Sequence, residues 1–240
     1  MFVATCYLLV AALSAAEPLA ALEARVTADP ENLRVAADYR QAAIAAGDYA
    51  RAITFLEALT RRPGAGPHAF LSLGLAYVDR IPAVGAFKRI SLGNDATKAL
   101  TRSIEREPTD VAYLIRGIVN LHFEKGWFHR TPDGVADLER ALQLAGRSAE
   151  ASRSGDTPRS GDVSRSKPYV ARIYAALGDG YWQLKDRDKA RTTWREGQVR
   201  FPADERLRIR TTATDRVIAD TIAHDLDASV RVDTSLHDLE

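Results

Sequence analysis

Cysteine is nearly absent from this chain: Cys6 is the single one in 240 residues. One thiol closes no intramolecular disulfide and builds no thiolate metal cage, and its place in an apolar N-terminal segment removes it as a nucleophile. The core must therefore hold by packing alone. An excess of charge is missing too. Lys and Arg number 33 against 32 Asp and Glu, a net charge of +1, which gives no reason to expect nucleic acid or an anionic membrane as the partner. The nucleophile elbow G-x-S-x-G does not occur. The glycine-rich Arg62-Pro63-Gly64-Ala65-Gly66-Pro67 lacks the strand, the Lys and the Ser/Thr of a phosphate loop, and reads as a turn. His68, His122, His129, His224 and His237 offer no repeated short spacing of the kind zinc sites use, so neither a metal nor a cofactor is expected.

Long hydrophobic runs are also scarce. Phe2 to Ala16 is apolar except for Thr5 and Ser14, short of the ~20 residues that span a bilayer, so no stable membrane span is expected. The run ends Ser14-Ala15-Ala16 before Glu17-Pro18, a small-residue cleavage pattern, and residues 1–16 read as a signal peptide although no Lys or Arg precedes Arg25. Export follows from that reading, to the periplasm if the source is bacterial. The alternative is an N-terminal helix packed under the rest of the chain, and a cytoplasmic protein.

What the chain does contain is most visible from Tyr174 to Pro202. Tyr174, Leu177, Gly178 and Tyr181 are followed by Ala190, Trp194, Gly197 and Pro202. The first, second and fourth fall at i, i+3 and i+7 and share one helix face. Glycine inside a helix costs ~1 kcal/mol against alanine, so Gly178 and Gly197 point to backbones that approach closely. Pro202 ends the second helix. This Y-x-x-L-G-x-x-Y, A-x-x-x-W, G, P spacing resembles one unit of the tetratricopeptide repeat family, a helix–turn–helix of about 34 residues.

A single such unit cannot bury its apolar face, and three siblings precede it. Phe70, Leu73, Gly74 and Tyr77, with Ala96, Leu100, Ser103 and Pro108, repeat the pattern. The interval from Tyr77 to Ala96 is nineteen positions where Tyr181 to Ala190 is nine, so the stretch IPAVGAFKRISLG is expected to be an enlarged turn. Tyr113 and Gly117, with Leu138, Ala141 and Leu142, make a third unit with a second enlarged turn at residues 124–133. The first unit keeps Tyr39, Gly47-Asp48-Tyr49, Ala52, Leu56 and Pro63, and has no counterpart of the small Gly of the first helix. The expected fold is an all-α, tetratricopeptide-like superhelical solenoid of about four helix pairs over residues 17–202. The 46% hydrophobic content supplies enough material for its shared core.

Two regions interrupt the rhythm. Residues 146–167, poor in apolar side chains and carrying Arg-Ser-Gly-Asp twice, are read as a flexible insert. Residues 203–240 are read as a capping helix, with Asp204 as its cap and Leu207, Val217, Ile218 and Ile222 at helical spacing, followed by a tail from Ala228 too short and polar to fold alone.

The resemblance implies a concave face lined by the first helix of every unit. Its residues would be Arg34, Ala37, Gln41 and Ile44, then His68, Leu71, Leu75 and Val78, then Val111, Leu114, Ile118 and Leu121, then Arg172, Ala175, Asp179 and Trp182. The middle of that groove is apolar, and the Lys and Asn clamp with which chaperone-binding members of the family grip a terminal carboxylate is absent. A strip of this extent calls for a cover. A partner segment, an enlarged turn folded inward, or an acyl chain are the candidates. The expected function is a non-enzymatic scaffold that binds a protein or peptide in the groove, with Leu71, Leu75, Val78, Leu114, Ile118, Leu121 and Asp179 as its lining and Arg172 and Trp182 as anchors. The alternative is a carrier of an apolar ligand. An enzyme built on His122, Glu124 and His129, beside Trp127 and Asp133, comes third.

Overall fold

The computed structural model describes residues 17–123, 129–154 and 167–237, and these form helices joined by short connections with no strand among them. The segment 1–16, read as a signal peptide, lies outside the described residues. Helix α1 (Leu19–Ala28) leads into four pairs: α2 (Leu33–Ala45) with α3 (Tyr49–Thr60), α4 (Pro67–Arg80) with α5 (Ala86–Arg106), α6 (Asp110–His122) with α7 (Thr131–Ser154), and α8 (Lys167–Gln183) with α9 (Arg187–Arg200). Each pair packs on the next, as a solenoid requires, and α10 (Glu205–Thr212) and α11 (Asp215–Asp225) follow.

The helix boundaries follow from local chemistry. Asn32, Asp48, Thr109, Asp186 and Asp204 each accept a hydrogen bond from the backbone N–H three residues on, at 3.1–3.3 Å. Each such bond satisfies one of the orphan donors of a helix start. The first and fourth units turn alike. Gly47 and Lys185, each just before a capping Asp, both have positive φ, at 70° and 67°, a conformation free for glycine and uphill for lysine.

Glycines set the distance between paired helices. A Cβ on Gly74 would come within 2.7 Å of Leu100, one on Gly117 within 2.8 Å of Leu138, and one on Gly178 would collide with the Trp194 indole. Gly197 answers from the other helix, with Tyr174 Cβ at 2.7 Å. The core of the last unit is Trp194, fully buried, whose Nε1–H donates to the Ala175 carbonyl at 3.2 Å, the partner a buried indole needs.

Three expectations about connections change. The stretch IPAVGAFKRISLG is not an enlarged turn: after a single 3₁₀ turn (Ile81–Ala83) it becomes the first turns of α5, which runs 21 residues. Leu92 and Gly93 are buried there, and Phe123 packs where a Cβ on Gly93 would stand, so the extra turns are anchored rather than looped out. The segment read as a flexible insert begins as helix, since α7 continues to Ser154; residues 155–166 lie outside the described part. The run read as one last helix is two, broken at Ala213. Helix α10 packs on α8 and α9, and α11 turns inward over Trp182, with Ile218 and Ile222 in the same apolar cluster as that ring. Of the turn at 124–133, residues 124–128 lie outside the described part and Thr131 opens α7.

Candidate functional site

The inner face of α4, α6 and α8 carries the residues read as groove lining. Leu71, Leu75, Val78, Leu114, Ile118 and Leu121 are all buried, none more than 8% exposed. The expected open apolar strip is thus covered. The chain's own C-terminal segment, residues 228–237, lies against that face as a strap. Residues 228–236 of this tail form no helix or strand and lie on the array.

The strap alternates along its length. Ala228, Val230, Val232 and Thr234 are the less exposed positions, and Ser229, Arg231 and Asp233 the exposed ones. Residues 227–230 close a turn, the Val230 N–H donating to the Asp227 carbonyl at 2.9 Å, and from Arg231 to Thr234 the period is that of an extended chain laid on a surface. Val232 and Leu236 join the apolar cluster that contains Leu75 and Ile118, and Ala228 joins the cluster of Tyr39 and Ile81. Each end is fixed by the same local motif, Asp-x-Ser, in which the carboxylate bonds its own backbone two residues on. Asp227 accepts from the Ser229 N–H at 2.7 Å. Asp233 accepts from the Ser235 N–H at 2.9 Å and from its hydroxyl at 2.7 Å. Burial works against the charge of Asp233, yet these bonds outweigh it and hold the carboxyl below the usual aspartate range.

Under Thr234 lies a buried polar triad. Arg40 of α2 donates to Asp79 of α4 at 2.8 Å and to the Thr234 carbonyl at 2.7 Å, and the Thr234 hydroxyl donates to the other oxygen of Asp79. The three residues are 1%, 3% and 2% exposed. Two more arginines hold the strap from the ends of the array: Arg172 donates to the Asp233 carbonyl at 2.7 Å, and Arg231 of the strap to the Tyr49 hydroxyl at 2.9 Å. Side chains from all four units thereby meet one short segment.

The other residues read as site components are committed elsewhere. Asp179 takes two bonds of 2.6 Å from Arg210 of α10, and Arg210 also donates to Asp225 at 2.8 Å. Burial opposes the Arg210 charge, but the two carboxylates outweigh it and keep the guanidinium above its ordinary range. Trp182 is buried against Trp194, with ring centroids 5.6 Å apart. The Arg187 guanidinium stacks on the same ring, 3.2 Å from its centroid, so the indole has both an aromatic and a cationic neighbour. Of the two expected anchors, Arg172 bonds the strap.

The cluster considered for acid–base chemistry is not assembled among the described residues. His122 Nδ1–H donates to the Ile118 carbonyl at 2.8 Å, at the end of α6 beneath the strap. His129 is exposed with φ of 34°, Asp133 is exposed at the start of α7, and Glu124 and Trp127 lie outside the described part. Burial pushes the His122 imidazole below its usual range, against the backbone carbonyls of Ile118 and Asp225 that pull the other way. Among the described residues no three His, Cys, Asp or Glu side chains stand close enough to hold a metal ion, and no helix is long and apolar enough to cross a membrane. A cavity of about 290 Å³ remains between α8 and the strap, lined by Ile118, Leu121 and Ala175 together with Arg172, Asp179 and Asp225.

Sequence reasoning missed Arg40, Asp79 and the strap. The signal was present in the strict alternation from Ala228 to Thr234 and in the repeated Asp-x-Ser, neither of which belongs to a helix.

No protein-family model matches the chain, and no curated protein matches it in sequence. In structure it is similar to the crystal structure of a thermophilic TPR protein of Thermus thermophilus, with a TM-score of 0.56 at 17% identity, over 80% of this chain and 86% of that one. Together with the four helix pairs, three of them spaced by a glycine, the likeness establishes that the chain has a tetratricopeptide-like, all-α repeat fold.

Proposed function

We propose that the protein is a non-enzymatic interaction scaffold whose concave face receives an extended segment of a partner polypeptide. The observation that carries this reading is the occupant already there: residues 228–237 lie along the inner helices, held through two backbone carbonyls and alternate side chains, which is how an extended peptide is recognised. Tetratricopeptide-like arrays generally serve protein–protein interaction, and their inner face is the surface that serves it. The carrier reading ranks second, because Val230, Val232 and Leu236 pack on the apolar strip and the cavity beside α8 mixes Arg172, Asp179 and Asp225 with its apolar lining. For the segment 1–16 we propose a cleaved export signal; mass spectrometry of the mature protein beginning at Glu17 would support it, and an intact Met1 would refute it.

The test of the scaffold reading is capture from native extract by three proteins: the full chain, a chain ending at Asp227, and the latter carrying Arg172→Glu. Proteins enriched by removal of the strap and lost again with Arg172→Glu are groove partners. The reading fails if strap removal and Arg172→Glu leave the captured set unchanged.

A further inference from the structure

We infer that the strap is an intramolecular ligand that keeps the groove shut, and that it displays the pattern the groove reads in a partner: branched aliphatic residues at two alternate positions and a Ser or Thr two positions further on, with the backbone leaving a turn at the first of them and extended from there to the last. This rests on the scaffold reading and names both its ligand class and its regulation.

The pattern comes from what each position touches. Val230 and Val232 share a pocket with Val78, Ile81, Val119, Phe123 and His122, a mostly apolar surface that rewards branched aliphatic side chains and disfavours charge. At Thr234 the readout is polar. The Asp79 oxygen that accepts the hydroxyl is buried, so an aliphatic residue here strands an acceptor, whereas serine keeps the bond. Arg40 and Arg172 grip the carbonyls of Thr234 and Asp233, groups that every residue type carries, so they hold an extended backbone without choosing its sequence. Outward positions 229, 231 and 233 are exposed and therefore unread, apart from the arginine that reaches Tyr49.

The hold is local and reversible in design. The strap follows α11 after Leu226 and one Asp-x-Ser turn, with the next Asp-x-Ser turn at its far end and no helix or strand over residues 228–236. A segment tethered so closely acts at an effective concentration on the order of millimolar, so a partner must outcompete it, and groove binding is strong only when the strap is displaced.

A fluorescein-labelled peptide of residues 227–237, DASVRVDTSLH, tests this by anisotropy against the full chain and the chain ending at Asp227. The truncated protein should bind the peptide at least tenfold more tightly than the full chain does. Thr234→Ser in the peptide should leave binding within about threefold, Thr234→Val should weaken it about tenfold to a hundredfold, and Val232→Asp should abolish it. Should truncation unfold the protein, the full chain with a protease site between Leu226 and Asp227 replaces it: cut but still folded, it should exchange its strap for labelled peptide. A folded, strapless or cut protein that takes up no peptide overturns the inference, as does equal binding of the Thr234→Val peptide. A full-length dimer that becomes monomeric on truncation would place the strap on a neighbouring copy and overturn the intramolecular hold. Loss of peptide binding with extract partners retained overturns this inference alone; loss of both overturns the scaffold reading as well.

Discussion

Asp179 and Arg210 make the sharpest test of how the C-terminal helices are fastened. They are 4% and 3% exposed and share two bonds of 2.6 Å. Replacing Arg210 with methionine roughly preserves length and apolar bulk but leaves the Asp179 carboxylate buried without its cation. Breaking a buried pair from one side costs about 3–5 kcal/mol, much of it the penalty on the abandoned charge. For a chain of this size each kcal/mol moves the melting temperature by about 2–4 °C, so Arg210→Met should lower Tm by roughly 6–20 °C. Asp179→Leu combined with Arg210→Met removes both charges and should recover most of that loss, because Asp225, the third member, has a side chain 44% exposed and is solvated by itself. Urea unfolding of wild type, both single variants and the double variant, followed by circular dichroism at pH 7, closes the cycle. A single variant within about 1 kcal/mol of wild type, or a double variant no better than the worse single, would refute the argument. Asp179 would then again be open to a role in contacting a partner.

Gly178→Ala should cost about 1–3 kcal/mol by forcing the buried Trp194 indole aside, although alanine is the better helix former by up to ~1 kcal/mol. Gly146→Ala in α7, where a Cβ meets nothing within 4 Å, should instead gain about 0.5–1 kcal/mol; equal effects of the two in a thermal melt would remove the close-approach argument. The depressed His122 has a definite pH signature. The folded imidazole stays neutral where the unfolded one, near 6.5, takes up a proton, so stability from this residue is present above pH 6.5 and is lost as pH falls toward the lower folded value. Asp225 at the end of α11 and Asp227 in the turn that opens the strap favour the charged imidazole and soften the loss. His122→Asn should flatten the fall in Tm between pH 7 and pH 5.5, and an unchanged slope would assign that fall to other groups.

The fold was legible wherever one side chain or its absence fixed a distance between neighbouring helices. Gly74, Gly117, Gly178 and Gly197 each mark a close approach, and Pro202 follows the end of α9, as its missing N–H demands. Misreadings came where turn-forming residues serve helices instead. Pro82 sits in a single 3₁₀ turn, Gly85 caps α5, and Gly93 lies inside α5 because the Phe123 ring needs its space. The groove residues do lie on the inner helices, but their exposure depends on a segment more than a hundred residues away from Leu75 and Ile118, and no local pattern reports that. Period-two alternation in Ala228 to Thr234 carried the hint; in an all-helical chain it has no sheet to join, so it reads as a polar tail until the surface that receives it is known.

The missing glycine of the first unit and the closed groove are one feature. Arg40 stands twelve positions before Ala52, as Gly178 stands twelve before Ala190, so an arginine occupies the place where the other three units bring helices together. Helices α2 and α3 accordingly meet along less of their length than the other pairs. The Arg40 side chain reaches Asp79 and the Thr234 carbonyl instead. A departure from a repeat pattern that coincides with a buried polar network marks a place where helix packing has yielded to a specific contact. Restoring the pattern should therefore do harm. Replacing a residue by its repeat consensus commonly gains about 0.5–2 kcal/mol, but Arg40→Gly strands Asp79 in the interior, at a cost of about 3–5 kcal/mol, and cuts one of the strap's two carbonyl anchors. The expected result is a lower melting temperature together with faster tryptic cleavage after Arg231, which is already exposed and is protected by its extended, anchored backbone. A more stable protein with an equally protected strap would show that Arg40 is an accident of the first unit and not the lock of the groove.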